Sequence, residues 1–280
     1  MNYYYHKDAI HVSRVDLNVQ NIDISLDFYL NSLGLSILSE NENYVSLTAD
    51  NTNEIIRLYE DKKMCCEKNM NIYHFALLLP SRKDLSKFLH HLILKQIPID
   101  GAADHLVSEA IYLTDPDGIG IEICCDRDDS NWQISENKII MDTLPFDYKG
   151  VYYESDENDI FVNLPKETII GHLHLQVKEI NNVTNFYKDI IGFTVTFEEL
   201  KNAVFLSDKL YHHHLALNNW SDELLDNAKS RLKSFVINYP SCEKYLKTCE
   251  NIKTNNISYE ESTEGVIIKD PENTKIYLKI

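Results

Sequence analysis

Apolar and polar residues alternate along Val15-Asp-Leu-Asn-Val19, and again along Leu173-His-Leu-Gln-Val177. That period of two marks a strand with one buried face. Each run leads into a stretch of helical spacing carrying Phe28-Tyr29 or Phe186-Tyr187. Gly34 or Gly192 follows, where a helix C-cap belongs. Two shorter strands come next in each copy: Tyr44–Leu47 and Glu54–Tyr59 in the first, Ala203–Leu206 and His212–Leu217 in the second. The constant spacing between the copies predicts an internal duplication.

A second pair of copies is interleaved with the first. The strand Tyr73–Leu79, Pro80-Ser81 and an amphipathic helix from Asp84 to Lys95 match Lys233–Tyr239, Pro240-Ser241 and a helix from Cys242 to Lys253. Each is followed by a strand ending in Asp-Pro, at Asp115-Pro116 or Asp270-Pro271, and by a last strand, Gly120–Cys125 or Lys275–Ile280. The pattern predicts an α+β fold of four βαβββ modules, at roughly 10–60, 72–125, 169–218 and 234–280. They group into two tandem domains, 10–127 and 169–280, with 128–168 as an acidic, polar connector. Strands alternating with one helix also describe ferredoxin-like domains. The repeated Phe-Tyr and Leu/Ile-Gly placements favour the duplication.

Composition narrows the classes of function. A chain of 280 residues, 44% hydrophobic and 25% charged, can bury a core and is neither disordered nor a disulfide miniprotein. Its 27 basic and 44 acidic residues give a net charge of −17, which repels nucleic acid and anionic membranes. The N-terminal stretch has no apolar signal-peptide core, and no apolar run reaches the ~18 residues of a membrane span. The six cysteines, Cys65, Cys66, Cys124, Cys125, Cys242 and Cys249, contain no CxxC spacing and read as free thiols in a reducing cytoplasm.

Candidate chemistry lies on the strands. His172, His174 and Gln176 share one strand face. His74 is the polar interior residue of Tyr73–Leu79, and Glu122 stands between Ile121 and Ile123. A glutamate there is costly to bury unless it is paired or binds a cation; an edge position facing solvent is the alternative. The turn Asp115-Pro116-Asp117-Gly118 joins two neighbouring strands, so Tyr112 and Glu122 can share a face with His105 at its mouth. In Tyr211-His212-His213-His214, alternation points His212 and His214 one way and His213 the other. His6, His11, His90 and His91 read as surface residues.

The stretch His105…Ile111-Tyr112…Asp115-Pro116-Asp117-Gly118…Glu122 resembles the extradiol ring-cleavage dioxygenase signature, with Ala103 departing at its first position. The four-module pattern resembles the vicinal oxygen chelate superfamily (glyoxalase, bleomycin resistance and dioxygenase proteins). Outside the connector the chain is similar to catechol 2,3-dioxygenases of the bacillus type. The resemblance implies two modules enclosing one metal. Pairing the first module with the fourth offers Arg14, Ser234 and Tyr277, which is not a metal site. Pairing the second with the third offers His74, Glu122 and His172 as ligands. Two histidines and one carboxylate leave positions open on a non-haem Fe(II). The implied reaction is ring opening of a catechol-like diol by O2, with His105 in acid–base work and Tyr112 holding an oxygen. His214 then touches the metal or the substrate. Two alternatives stand beside it. One is a glyoxalase-like isomerase or thiol transferase using Zn, Ni or Mn with His214 as fourth ligand. The other is a non-catalytic aromatic- or drug-binding protein. The oligomeric state is left open.

Overall fold

Two large mixed sheets carry the fold. The structure, a computed structural model, describes residues 8–63, 71–136, 138–156, 158–220 and 230–280. Cys65 and Cys66 lie outside the described residues.

In chain order the first group of elements is β1 (His11–Val19), α1 (Ile22–Asp27), β2 (Ser36–Glu40), β3 (Val45–Thr48) and β4 (Ile56–Glu60). Next come β5 (Ile72–Leu79), α2 (Arg82–Lys95), β6 (Gly101–Asp104), β7 (Ser108–Thr114) and β8 (Gly120–Asp126). Short elements follow: β9 (Ile134–Ser135), β10 (Lys138–Ile139), β11 (Leu144–Pro145) and α3 (Tyr148–Tyr152). The pattern then resumes with β12 (Ile169–Gln176), α4 (Ile180–Asn185), β13 (Thr194–Phe197), β14 (Ala203–Ser207) and β15 (Leu215–Asn218). The chain closes with β16 (Leu232–Asn238), α5 (Cys242–Thr254), β17 (Tyr259–Ser262), β18 (Gly265–Lys269) and β19 (Lys275–Lys279). This is a mixed-sheet α+β architecture with a duplicated βαβββ pattern. No helix among the described residues is long and apolar enough to cross a membrane.

The local signals explain the elements. Ser81 and Ser241, each after a proline, cap α2 and α5 by accepting from Asp84 N and Lys244 N. Asn21 caps α1, which runs on into a π-helical turn over Phe28–Ser32. Gly34 and Gly192 adopt φ of +83° and +102° after these turns, a conformation that side chains resist.

Sheet order shows which parts of the chain meet. One sheet runs β17-β18-β19-β16-β1-β4-β3-β2, and the other runs β11-β6-β7-β8-β5-β12-β15-β14-β13. Each sheet therefore draws strands from both halves of the chain. The seams are antiparallel, β1 with β16 and β5 with β12. A large apolar core spans both sheets, with Leu17 and Phe235 from the first and Phe75 and Leu173 from the second. Strand alternation sends Phe75, Leu77, Ile121, Ile123, Leu173 and Leu175 into that core. It leaves His74, Glu122, His172 and His174 for the other face.

Two tyrosines fasten the helical turns to the Asp-Pro turns. Tyr29 donates its hydroxyl to Asp115 Oδ2 and Tyr187 to Asp270 Oδ2, both at 3.0 Å and both buried. The connector is more ordered than its composition suggests: β11 adds to the edge of the second sheet beside β6. His91 is buried, not at the surface, and sits 4.5 Å ring to ring from Phe161.

Candidate metal centre

The second sheet assembles the site through its register. Across the ladders, Tyr112 pairs with Glu122, Glu122 with Ala76, and Ala76 with His172; one step along, His74 pairs with Gly120 and His174. Paired residues face the same side, so Tyr112, Glu122, His74, His172 and His174 converge. The Asp115 turn sets this register: Asp115 Oδ1 accepts from Asp117 N at 2.9 Å and Ile119 N at 2.8 Å.

His74, Glu122 and His172 form a buried cluster able to hold a metal ion. Glu122 Oε2 lies 3.1 Å from His74 Nε2 and 3.2 Å from His172 Nε2, and the two Nε2 atoms are 3.0 Å apart. With metal–ligand bonds of ~2.1 Å, ligands at right angles stand ~3.0 Å apart and tetrahedral ligands ~3.4 Å apart. The measured triangle fits one face of an octahedron. Burial alone pushes the Glu122 carboxyl up, but His172 and His74 against it hold it well below its ordinary value. Burial lowers His74 more than Glu122 raises it. An ionised carboxylate beside an uncharged imidazole is the state in which these side chains donate to a cation. The donor set is compatible with a mononuclear Fe(II) site.

The corresponding place in the first sheet carries different chemistry. Arg14 and Asp16 on β1 pair with Val236 and Ser234 on β16, as His172 and His174 pair with Ala76 and His74. There Asp16 takes Arg14 Nε at 2.7 Å and Ser234 Oγ at 2.6 Å, and Arg14 also pairs with Glu54 and Glu264 at 3.0 Å each. Ion pairs occupy that centre.

A cavity of about 690 Å³ opens over the triad. Its apolar walls include Tyr73, Leu113, Met141, Phe197, Phe205 and Trp220, and no Lys or Arg is among the described lining residues. Tyr112 and His105 line it together, with the Tyr112 hydroxyl 2.5 Å from His105 Nε2. His174 also lines it, but its Nε2 takes Asn218 Nδ2 at 2.9 Å and so serves the wall.

His214 does not reach the triad. Its Nδ1 lies 3.1 Å from Ser207 Oγ, its ring stacks over Phe193, and it is absent from the cavity wall. The expectation that it touches metal or substrate is corrected for a local reason. Lys209 and Leu210 turn with positive φ, bends follow at His212 and His214, and β15 begins only at Leu215. Alternation therefore does not extend back through the three histidines. His213 instead lines the cavity, its ring centroid 4.0 Å from that of His172. Burial, reinforced by His172 and His212, holds His213 well below the ordinary imidazole value. Sequence reasoning missed His213; the Ser207-Asp208-Lys209 turn signal just ahead of it was the available clue.

Residues 11–123 and 169–276 match the family model of the Glyoxalase/Bleomycin resistance protein/Dioxygenase superfamily. The chain is 36% identical over 276 residues to the catechol-2,3-dioxygenase of Bacillus subtilis (strain 168), covering 95% of each. Among solved structures, a protein of Bacillus subtilis subsp. subtilis str. 168 superposes with a TM-score of 0.66 at 11% identity, covering 98% of this chain and 86% of that one. Glyoxalase I from Zea mays superposes with a TM-score of 0.59 at 14% identity, covering 99% and 94%. These structural likenesses bear on the fold.

Proposed function

The chain belongs to the glyoxalase/bleomycin resistance protein/dioxygenase superfamily, and from that premise we propose that it is an extradiol ring-cleaving dioxygenase acting on a catechol-like aromatic diol. The observation that carries this reading is the His74–Glu122–His172 triangle, whose edges of 3.0 to 3.2 Å would let all three residues hold one ion from the same side. Bound there by these three residues, Fe(II) would supply the redox link between diol and O2. The rest is done by the chain's own groups. The apolar walls hold the ring and exclude water. Tyr112 and His105 hold a proton between them at the edge of the cavity. His213, uncharged and beside His172, can take a hydroxyl proton from the diol. With no Lys or Arg among the described lining residues, the walls suit an uncharged ring better than one bearing a carboxylate.

The supporting architecture is read as four βαβββ modules. The divisions 10–127, 128–168 and 169–280 follow chain order, and the site arises where β5 and β12 join across them. The glyoxalase-like alternative loses its fourth ligand with His214 engaged at Ser207.

The test is reconstitution with Fe(II) under anaerobic conditions, followed by catechol and air. Oxygen uptake with formation of a yellow ring-opened semialdehyde is expected. No oxygen uptake with any diol, from protein carrying stoichiometric iron, would overturn the proposal.

A further inference from the structure

Behind the cavity wall, His213 is tied to two residues that have no part in holding the ion. Its Nδ1 lies 2.8 Å from His212 Nδ1, and His212 Nε2 lies 3.0 Å from Asp126 Oδ1. The second carboxylate oxygen of Asp126 takes the Tyr211 hydroxyl at 2.8 Å. All of this is shut from solvent: the side chains of His212 and Asp126 are 1% and 0% exposed. Asp126 ends β8, four residues beyond Glu122 and on the same strand face, so one strand supplies both a triad member and this anchor.

The donor and acceptor rules give the chain a direction. A carboxylate only accepts, so the His212 Nε2 facing Asp126 carries a hydrogen. When that is the one N–H on the ring, His212 Nδ1 is left as a lone pair. The 2.8 Å contact is then a hydrogen bond only if His213 Nδ1 donates it. His213 Nε2, the ring nitrogen left for the cavity, is consequently an acceptor.

We infer that Asp126 and His212 are positioning residues that lock His213 in its Nδ1–H tautomer, so that the cavity meets a proton acceptor and not a donor. The inference rests on the dioxygenase reading for its consequence in turnover, but the tautomer itself does not. Without Asp126 the ring of His212 is free to reverse, donating from Nδ1. His213 would then present Nε2–H toward a diol hydroxyl, where it can donate to the oxygen but can no longer accept the hydroxyl proton. Ring orientation is at stake as well, because the pair holds His213 edge-on to Phe205, with centroids 4.9 Å apart.

The experiment is histidine ¹⁵N NMR on the zinc-loaded protein, with wild type and Asp126→Ala compared, alongside kinetics of the iron-loaded forms. Wild type should show His213 protonated at Nδ1 and bare at Nε2. The variant should show the Nε2–H form, and its kcat should fall ~10- to 100-fold, the scale of misplaced proton transfer. Its KM for catechol and its iron content should stay within about twofold. A wild-type His213 protonated at Nε2 would overturn the inference outright, with no variant needed. So would an unchanged tautomer in Asp126→Ala, or a loss confined to KM and melting temperature, which would make Asp126 merely structural. Failure of the dioxygenase reading looks different: the wild-type tautomer is as described, yet no diol is consumed.

Discussion

Tyr112 donates its hydroxyl to His105 Nε2 at 2.5 Å, while His105 Nδ1 lies 2.9 Å from the carbonyl oxygen of Asp142. The carbonyl can only accept, so Nδ1 carries the imidazole hydrogen and Nε2 receives from Tyr112. Burial, with Glu122 nearby, keeps the phenol protonated far above its ordinary range. The pair is thus a stored proton at the edge of the triad. His105→Ala should cut turnover of catechol by roughly 10²-fold and leave iron content unchanged. Tyr112→Phe should be milder, since it removes one hydrogen bond worth about 1 kcal/mol and keeps the ring. Full turnover in His105→Ala would reduce that residue to a loop anchor for Asp142.

Removal of one donor should abolish the centre itself. Glu122→Gln keeps the side chain's shape but takes away the charge held between His74 and His172. Iron retained after dialysis should fall at least tenfold relative to wild type. A ligand that binds only the folded state raises stability, so a chelator should lower the melting temperature of loaded wild type and leave that of Glu122→Gln unmoved. Equal iron in both proteins would show that Glu122 is not a ligand.

The two neighbouring histidines separate cleanly. His213→Ala should lose turnover by ~10²-fold at unchanged iron content, because its ring stands in the cavity beside His172. His214→Ala should keep iron, KM and kcat. It should cost roughly 2–3 kcal/mol of stability, since a fully buried ring beside Ser207 and Phe193 is replaced by a void. Loss of iron in His214→Ala would restore it as a ligand.

The contrast marks where the sequence is readable. His74, Glu122 and His172 lie inside strands, where side chains alternate and neighbouring apolar residues fix which face is which, although β12 slips register between Ile170 and His172. Tyr112 and His105 are tied to Glu122 by a short turn, so their relation survives folding. His213 lies in bends ahead of β15, where parity says nothing. Asp126 falls just past the strand Gly120–Cys125 that the sequence predicts, and nothing there marks it as a partner of His212, because that contact joins residues 86 apart in sequence. The ion-paired centre at Arg14 and Asp16 follows the same register as the triad, with residue types that supply their own counter-charges.

Stability should respond to pH through the two buried Asp-Pro turns. Burial raises Asp115 from its ordinary 3.8 to about 6, although Ile119 N–H and the Tyr29 hydroxyl bond to it. The folded protein therefore binds this proton more tightly than the unfolded chain. The stability it contributes is complete below pH ~4 and is lost as pH rises through about 6, on the order of 3 kcal/mol. Asp270, raised to about 6 with Tyr187 as its partner, behaves alike. In urea unfolding at pH 4.5 and 7, wild type should lose stability relative to Asp115→Asn as pH rises. Parallel pH profiles for the two proteins would show that Asp115 is not protonated in the fold.

Gly120 faces His74 across the parallel ladder of β5 and β8. A Cβ at Gly120 would stand 2.5 Å from the carbonyl oxygen of Tyr73 and 3.1 Å from His74 Cβ. The first of these is backbone inside a sheet and cannot retreat without shifting β5, which carries His74. Gly120→Ala should therefore strain the strand by ~1–3 kcal/mol and move one corner of the triad. We expect iron affinity to fall at least tenfold and the melting temperature to drop by several degrees. Gly101→Ala is the control, because nothing lies within 4 Å of a Cβ there, and its iron affinity should match wild type. Equal iron affinity in Gly120→Ala and Gly101→Ala would mean that close packing at the ladder does not position His74.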